Sequence, residues 1–225
     1  MQRVPHVRTL LLAGTLALAF ACLAPAALAC TRGYSYAGLY SQTPTSGVGA
    51  TLSMLDEPTV ADGHVAAWVG VGGPALGPHG SDEWLQVGLA SFADSRGGHL
   101  YYELALPGQK PQYTELGATL RPGQKVHVAV FELPFVPNTW VVVSSVGVAG
   151  PFFLPQSHAA WGPVATAESW DAGGSRCNRY SYRFDGVQLA RRNGTWRPLR
   201  NGLKLQDPGL RLRRFAPSSF TAASV

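Results

Sequence analysis

Charge is scarce in this 225-residue chain, where Asp, Glu, Lys and Arg together make up 14%. Sulfur is scarce too, with 3 Cys and 2 Met. There is no His-Glu-x-x-His and no Cys/His cluster at metal spacing, so the common zinc motifs are excluded and no metal or other cofactor is expected. The 6 histidines are scattered, and each reads as structural. No Gly-x-Ser-x-Gly elbow exists; Gly33-Tyr34-Ser35-Tyr36-Ala37 fails at its last position. No phosphate-cradling loop is present, because Gly70-Val71-Gly72-Gly73 lacks the remaining spacing and reads as a turn. After the N-terminus no apolar run approaches the ~20 residues of a spanning helix, and no sustained helical period appears.

What the chain does have begins with an address. Arg3 and Arg8 precede an apolar stretch from Leu10 to Leu23, followed by the small-x-small site Ala27-Leu28-Ala29. This is a secretory signal over 1–29, and the mature protein is expected to start near Cys30 and to be exported. Cys22 leaves with the signal. Cys30 and Cys177 are then two thiols in an oxidising compartment, and a disulfide between them is the expectation. The alternative is lipidation of Cys30 and anchoring at the cell surface.

Some 196 residues remain, enough for one sizeable core. Glycine (26) and proline (17) are abundant, which suits short strands joined by turns. Ten strand-like runs recur between Gly/Pro/Asp clusters: 34–40, 49–54, 64–71, 84–92, 100–106, 125–133, 139–146, 165–170, 180–184 and 187–190. They predict an all-β fold, an antiparallel two-sheet sandwich over 30–200. Asn193-Gly194 signals a hairpin, with Pro198 making its second arm an edge or irregular strand.

The charge is split. Residues 30–190 hold 8 Lys/Arg against 12 Asp/Glu, and residues 191–225 hold 8 basic residues against Asp207 alone. The main domain is therefore mildly acidic, without the even basic face of a nucleic-acid binder. The segment 201–225 is expected to be a basic, partly disordered tail that can reach an anionic surface through Lys204, Arg211, Arg213 and Arg214. The protein is expected to be a monomer.

Two strands carry unusual polar residues. In Glu83–Ser91, Leu85, Val87 and Leu89 form a core set, while Trp84, Gln86 and Gly88 point the other way. Glycine inside a strand marks the close approach of a ligand or of another backbone. In Ala165–Gly173, Thr166, Glu168 and Trp170 share a face. A carboxylate beside an indole loses hydration, which favours proton exchange.

The order of short motifs resembles the glutamic peptidases, or eqolisins. Tyr36-Ala37-Gly38 echoes their opening Trp-Ala-Gly. Ala67-Trp68-Val69-Gly70, Leu85-Gln86-Val87-Gly88, Tyr101-Tyr102-Glu103-Leu104, Pro122-Gly123 and Ala167-Glu168 follow in the family's order over about 34–190. The resemblance implies a concanavalin-like, jelly-roll-type sandwich with polypeptide substrate across its concave sheet. It implies acid endopeptidase activity from a Gln and Glu pair, carried onto Gln86 and Glu168, facing each other and sharing one water. Trp68, Trp84, Tyr102 and Glu103 would bind substrate. The chain departs from the pattern at Gly72 and Ala90, where the family has Asp, and at Leu104, where it has Trp. Two rivals stand beside this reading. One is a non-catalytic module holding a glycan or peptide with Trp68, Trp84, Tyr101 and Tyr102. The other is a glycosidase using Glu103 and Glu168 as paired carboxylates.

Overall fold

A computed structural model describes residues 33–73, 76–174 and 176–225. The expected signal and Cys30, and with it the expected pairing to Cys177, lie outside the described residues. Among the described residues no helix is long and apolar enough to cross a membrane.

The described residues build fifteen strands: β1 Tyr34–Tyr40, β2 Gly47–Met54, β3 His64–Gly73, β4 Glu83–Phe92, β5 Gly98–Ala105, β6 Gln112–Leu120, β7 Val126–Glu132, β8 Thr139–Ser144, β9 Gly147–Phe153, β10 Pro163–Trp170, β11 Ser181–Ala190, β12 Trp196–Pro198, β13 Leu203–Gln206, β14 Leu210–Ala216 and β15 Ser219–Ser224. They form two sheets whose paired strands are antiparallel. The front sheet runs β13-β1-β10-β3-β4-β5-β6, and the back sheet runs β14-β15-β11-β2-β7-β8-β9, with β12 also pairing β11.

Alternation explains the layering. Val65, Ala67, Val69 and Val71 of β3 and Leu85, Val87 and Leu89 of β4 turn inward with essentially no exposure. They meet Val48, Ala50, Leu52 and Met54 of β2 and Val128 and Val130 of β7 in one core cluster. A buried Leu or Val side chain contributes about 1.5–3 kcal/mol relative to an exposed one. The odd one out is a second, smaller apolar cluster of Ala66, Trp68, Ala90, Tyr101 and Val164. These are the alternate residues of the front strands, so they lie on the front sheet's outer face.

The expected strands are present, the first with its expected ends and the others with ends shifted, and the runs 180–184 and 187–190 are one strand, β11, with a register shift between Asp185 and Gln188. Before the C-terminal segment, two strands lie outside the expected set. β6 is an edge strand with mostly exposed residues, so it lacks an apolar pattern. β9 is the corresponding edge of the back sheet and contains Pro151, which an edge tolerates.

The C-terminal segment differs most from expectation. Instead of a loosely held tail, 203–224 supplies three strands. β13 extends the front sheet beside β1, and β14 and β15 extend the back sheet beside β11. Short alternation does this: Leu210, Phe220 and Ala222 are buried, while Arg211 and Arg213 point to solvent between them. The overall basic composition hid a period-2 pattern.

Candidate active site

The outer face of the front sheet can be laid out in three rows, because antiparallel register places residues side by side. One row is Thr166, Trp68, Gly88 and Tyr101 across β10, β3, β4 and β5. On one side of it lie Gly70, Gln86 and Glu103. On the other lie Glu168, Ala66, Ala90 and His99. The glycines are forced by crowding: a Cβ on Gly88 would collide with the Ala67 carbonyl and meet Trp68 Cβ at 2.7 Å. A Cβ on Gly70 would stand 2.8 Å from Gln86 Cβ. The close approach marked by Gly88 is therefore that of the neighbouring strand.

Glu168 is held at 7% exposure by two donors. The Trp68 indole N–H donates to Oε2 at 3.0 Å, and His64 Nε2 lies 3.0 Å from Oε1. Hydrogen bonds to a charged acceptor are the stronger class, and two of them fix the carboxylate's plane. Gln86, also 7% exposed, donates its amide N–H to the Tyr101 hydroxyl at 3.1 Å. Burial, with Glu168 and Glu103 nearby, pushes the Tyr101 phenol well above its ordinary range, so it stays a neutral hydroxyl. The Trp84 indole N–H donates to Glu103 Oε1 at 2.7 Å. Glu103 is raised by burial, lowered by that bond, raised by Glu168 and lowered by His64.

Gln86 and Glu168 thus share a face and one electrostatic neighbourhood, but they are not paired across strands. Gln86 stands opposite Gly70 and Glu103, and Glu168 opposite Ala66 and Tyr36, with Trp68 of β3 in the row between. Trp68, Trp84 and Glu103 are on this face as expected. Tyr102 is not. It packs against the core cluster and lies 5.2 Å from the Phe152 ring, between the sheets. Adjacent strand residues point to opposite faces, so Tyr102 and Glu103 cannot both face substrate, and Tyr101 takes the place given to Tyr102.

His64 is the residue that sequence reasoning passed over. It lies two same-face positions from Trp68, a signal available in the period-2 pattern. Its ring is flanked by Trp170 at 5.5 Å, Phe92 at 6.1 Å and Tyr34 at 6.1 Å. Further aromatic contacts line the two sides: Tyr34 stacks on Trp170 at 5.9 Å, and Tyr101 on Tyr113 at 4.9 Å.

The two-sheet antiparallel β-sandwich is a fold shared with the glutamic peptidases. Scytalido-glutamic peptidase bound to a peptide-based transition-state analogue matches at TM-score 0.58 and 13% identity, covering 87% of this chain and 99% of that one. SCP-B, an eqolisin-family peptidase in complex with the tripeptide Ala-Ile-His, matches at TM-score 0.55 and 13% identity over the same shares. At such identity the likeness establishes the fold. No protein-family model matches the chain, and no curated protein matches it.

Proposed function

We propose that this protein is an exported glutamic-peptidase-like hydrolase that cleaves polypeptides at Glu168. The observation that carries the reading is the Glu168 carboxylate, fixed by Trp68 and His64 on the outer face of a peptidase-like sandwich. The ionised carboxylate takes a proton from water, whose oxygen attacks the peptide carbonyl. The protonated acid then gives that proton to the leaving amine. The Gln86 amide, which donates to Tyr101 in the absence of substrate, donates to the developing oxyanion. Trp68, Trp84, Tyr101 and Glu103 form the surface on which the chain lies.

The test is digestion of denatured casein by the mature protein across about pH 3 to 7, the range in which a carboxylate base works. Glu168→Gln abolishes cleavage, because no base remains. Gln86→Ala lowers kcat by about 10²–10³, the cost of one oxyanion donor. Inhibitors directed at serine, cysteine or metal leave activity intact. Cleavage surviving Glu168→Gln would end the proposal.

The stacked pairs Tyr34–Trp170 and Tyr101–Tyr113 favour a second reading, a glycan- or peptide-binding module on the same face. Under that reading Glu168→Gln leaves ligand binding in place and there is no cleavage to lose. Export also predicts a bond between Cys30 and Cys177. Reduction followed by alkylation then adds mass on two cysteines, and a diacylglycerol mass on Cys30 would refute it.

A further inference from the structure

We infer that His64 is a positioning residue for Glu168, so that the working unit on this face is a carboxylate held between an imidazole and an indole. The inference rests on the reading of Glu168 as the base.

The geometry comes from the strand register. His64 opens β3 and pairs directly with Trp170 of β10 and Phe92 of β4. The next outer-face residue on β3 is Ala66, which pairs directly with Glu168. Ala66 offers only a methyl group, so nothing stands between the imidazole and the carboxylate, and they meet diagonally at 3.0 Å. A larger side chain at 66 would separate them. Trp68, the outer-face residue after Ala66, reaches the other carboxylate oxygen at 3.0 Å. Three successive outer-face positions of one strand therefore supply a donor, a gap and a donor.

Direction follows from chemistry. An ionised carboxylate only accepts, so Nε2 carries the hydrogen and donates it to Oε1. The ring is not free to leave. Trp170, Phe92 and Tyr34 flank it, and its side chain is 22% exposed. With one oxygen bonded to each of two donors on a rigid strand, the carboxylate cannot rotate about its terminal bond. The second lone pair of each oxygen remains for water. A base fixed in this way presents its lone pair to the attacking water in one orientation, and small misplacements of reacting groups can cost on the order of 10²-fold in rate.

The test uses the mature protein with His64→Ala and His64→Gln. Glutamine places an amide N–H near the position of Nε2, so it restores the donor without the ring. His64→Ala lowers kcat for casein or a peptide cleaved from it by on the order of 10–100-fold with little change in KM. His64→Gln recovers most of that loss. A readout that needs no activity runs beside this: the indole N–H proton resonance of Trp68, assigned by Trp68→Phe. Loss of the His64 bond lets the carboxylate turn, so the resonance moves in His64→Ala and returns in His64→Gln. An unmoved resonance and an unchanged kcat in His64→Ala overturn the inference. So does a loss that Gln fails to restore and that follows a fall in melting temperature, because His64 would then be a packing residue. If the wild type cleaves nothing, the peptidase reading falls by itself, and the indole resonance alone decides whether His64 orients Glu168.

Discussion

Glu103 shows how one residue can be polar, half-buried and conditional on its neighbours. Burial raises its carboxyl most, the Trp84 indole bond offsets part of this, Glu168 raises it further and His64 lowers it. An acid raised in the folded state binds its proton more tightly there than in the unfolded chain. Its stabilising contribution is therefore complete below the ordinary carboxylate range and is lost as pH rises through the folded value. Once ionised, Glu103 is a liability that the uncharged amide lacks. Glu103→Gln, which keeps an oxygen for the Trp84 indole, should melt higher than wild type at pH 7, and the gap should narrow as pH falls to about 4. A gap that is constant with pH would show that Glu103 is not ionising against its surroundings. At this scale the sequence was informative where strand parity was applied. Parity separated Gln86 and Glu168 from Leu85 and Ala167, and the structure keeps those sets on opposite faces. It was misleading where motif order replaced parity, which is how Tyr102 was chosen over Tyr101.

The C-terminal strands show what composition conceals at the scale of an element. Eight basic residues against one acid in 191–225 describe a solvated tail, yet every second residue of 210–212 and 220–222 is apolar and turned inward. Phe220 is fully buried, with its ring stacked on Phe184 at 4.5 Å, and Ala222 is buried beside it. Truncation to Ala leaves a cavity at such a site, so Phe220→Ala should destabilise the fold by about 3–5 kcal/mol, read from a urea or thermal transition. Ending the chain after Gly202 should do more, because it strips β13 from β1 and β15 from β11 and opens an edge on each sheet. A truncated protein that melts like wild type would mean these strands only decorate the sandwich. The central strands were legible because they are long, apolar and bounded by turns. The edge strands β6, β9, β13 and β14 were not, because an edge needs only one apolar residue in two and carries charge or proline on the rest, and β15, inside β14, is short and built of small and polar residues around Phe220.

Across the whole molecule, folding turns a charge bias along the chain into a charge bias in space. β13 and β14 are the terminal strands of the two sheets on the same side of the sandwich. They carry Lys204, Arg211 and Arg213 outward to solvent. The one acid of this segment, Asp207, accepts the Tyr36 backbone N–H at 2.7 Å. Among the described residues none of Lys204, Arg211 and Arg213 is in an ion pair. Cations on an edge strand have one use that needs no partner, since they discourage another chain from adding to the edge. A second use is attraction to an anionic surface, worth about 1 kcal/mol per basic residue near a charged bilayer. The two uses separate in one variant, Arg211→Ser with Arg213→Ser. If the edge meets an anionic surface, wild-type protein should sediment with vesicles containing anionic lipid at low salt and release as salt rises. The double variant should bind them roughly thirtyfold more weakly, as the loss of two such cations implies. If the arginines only guard the edge, vesicle binding should be absent or unchanged, and the variant should instead form concentration-dependent dimers in sedimentation velocity. A variant that binds like wild type and stays monomeric would leave both uses without support and mark the basic edge as plain solvation.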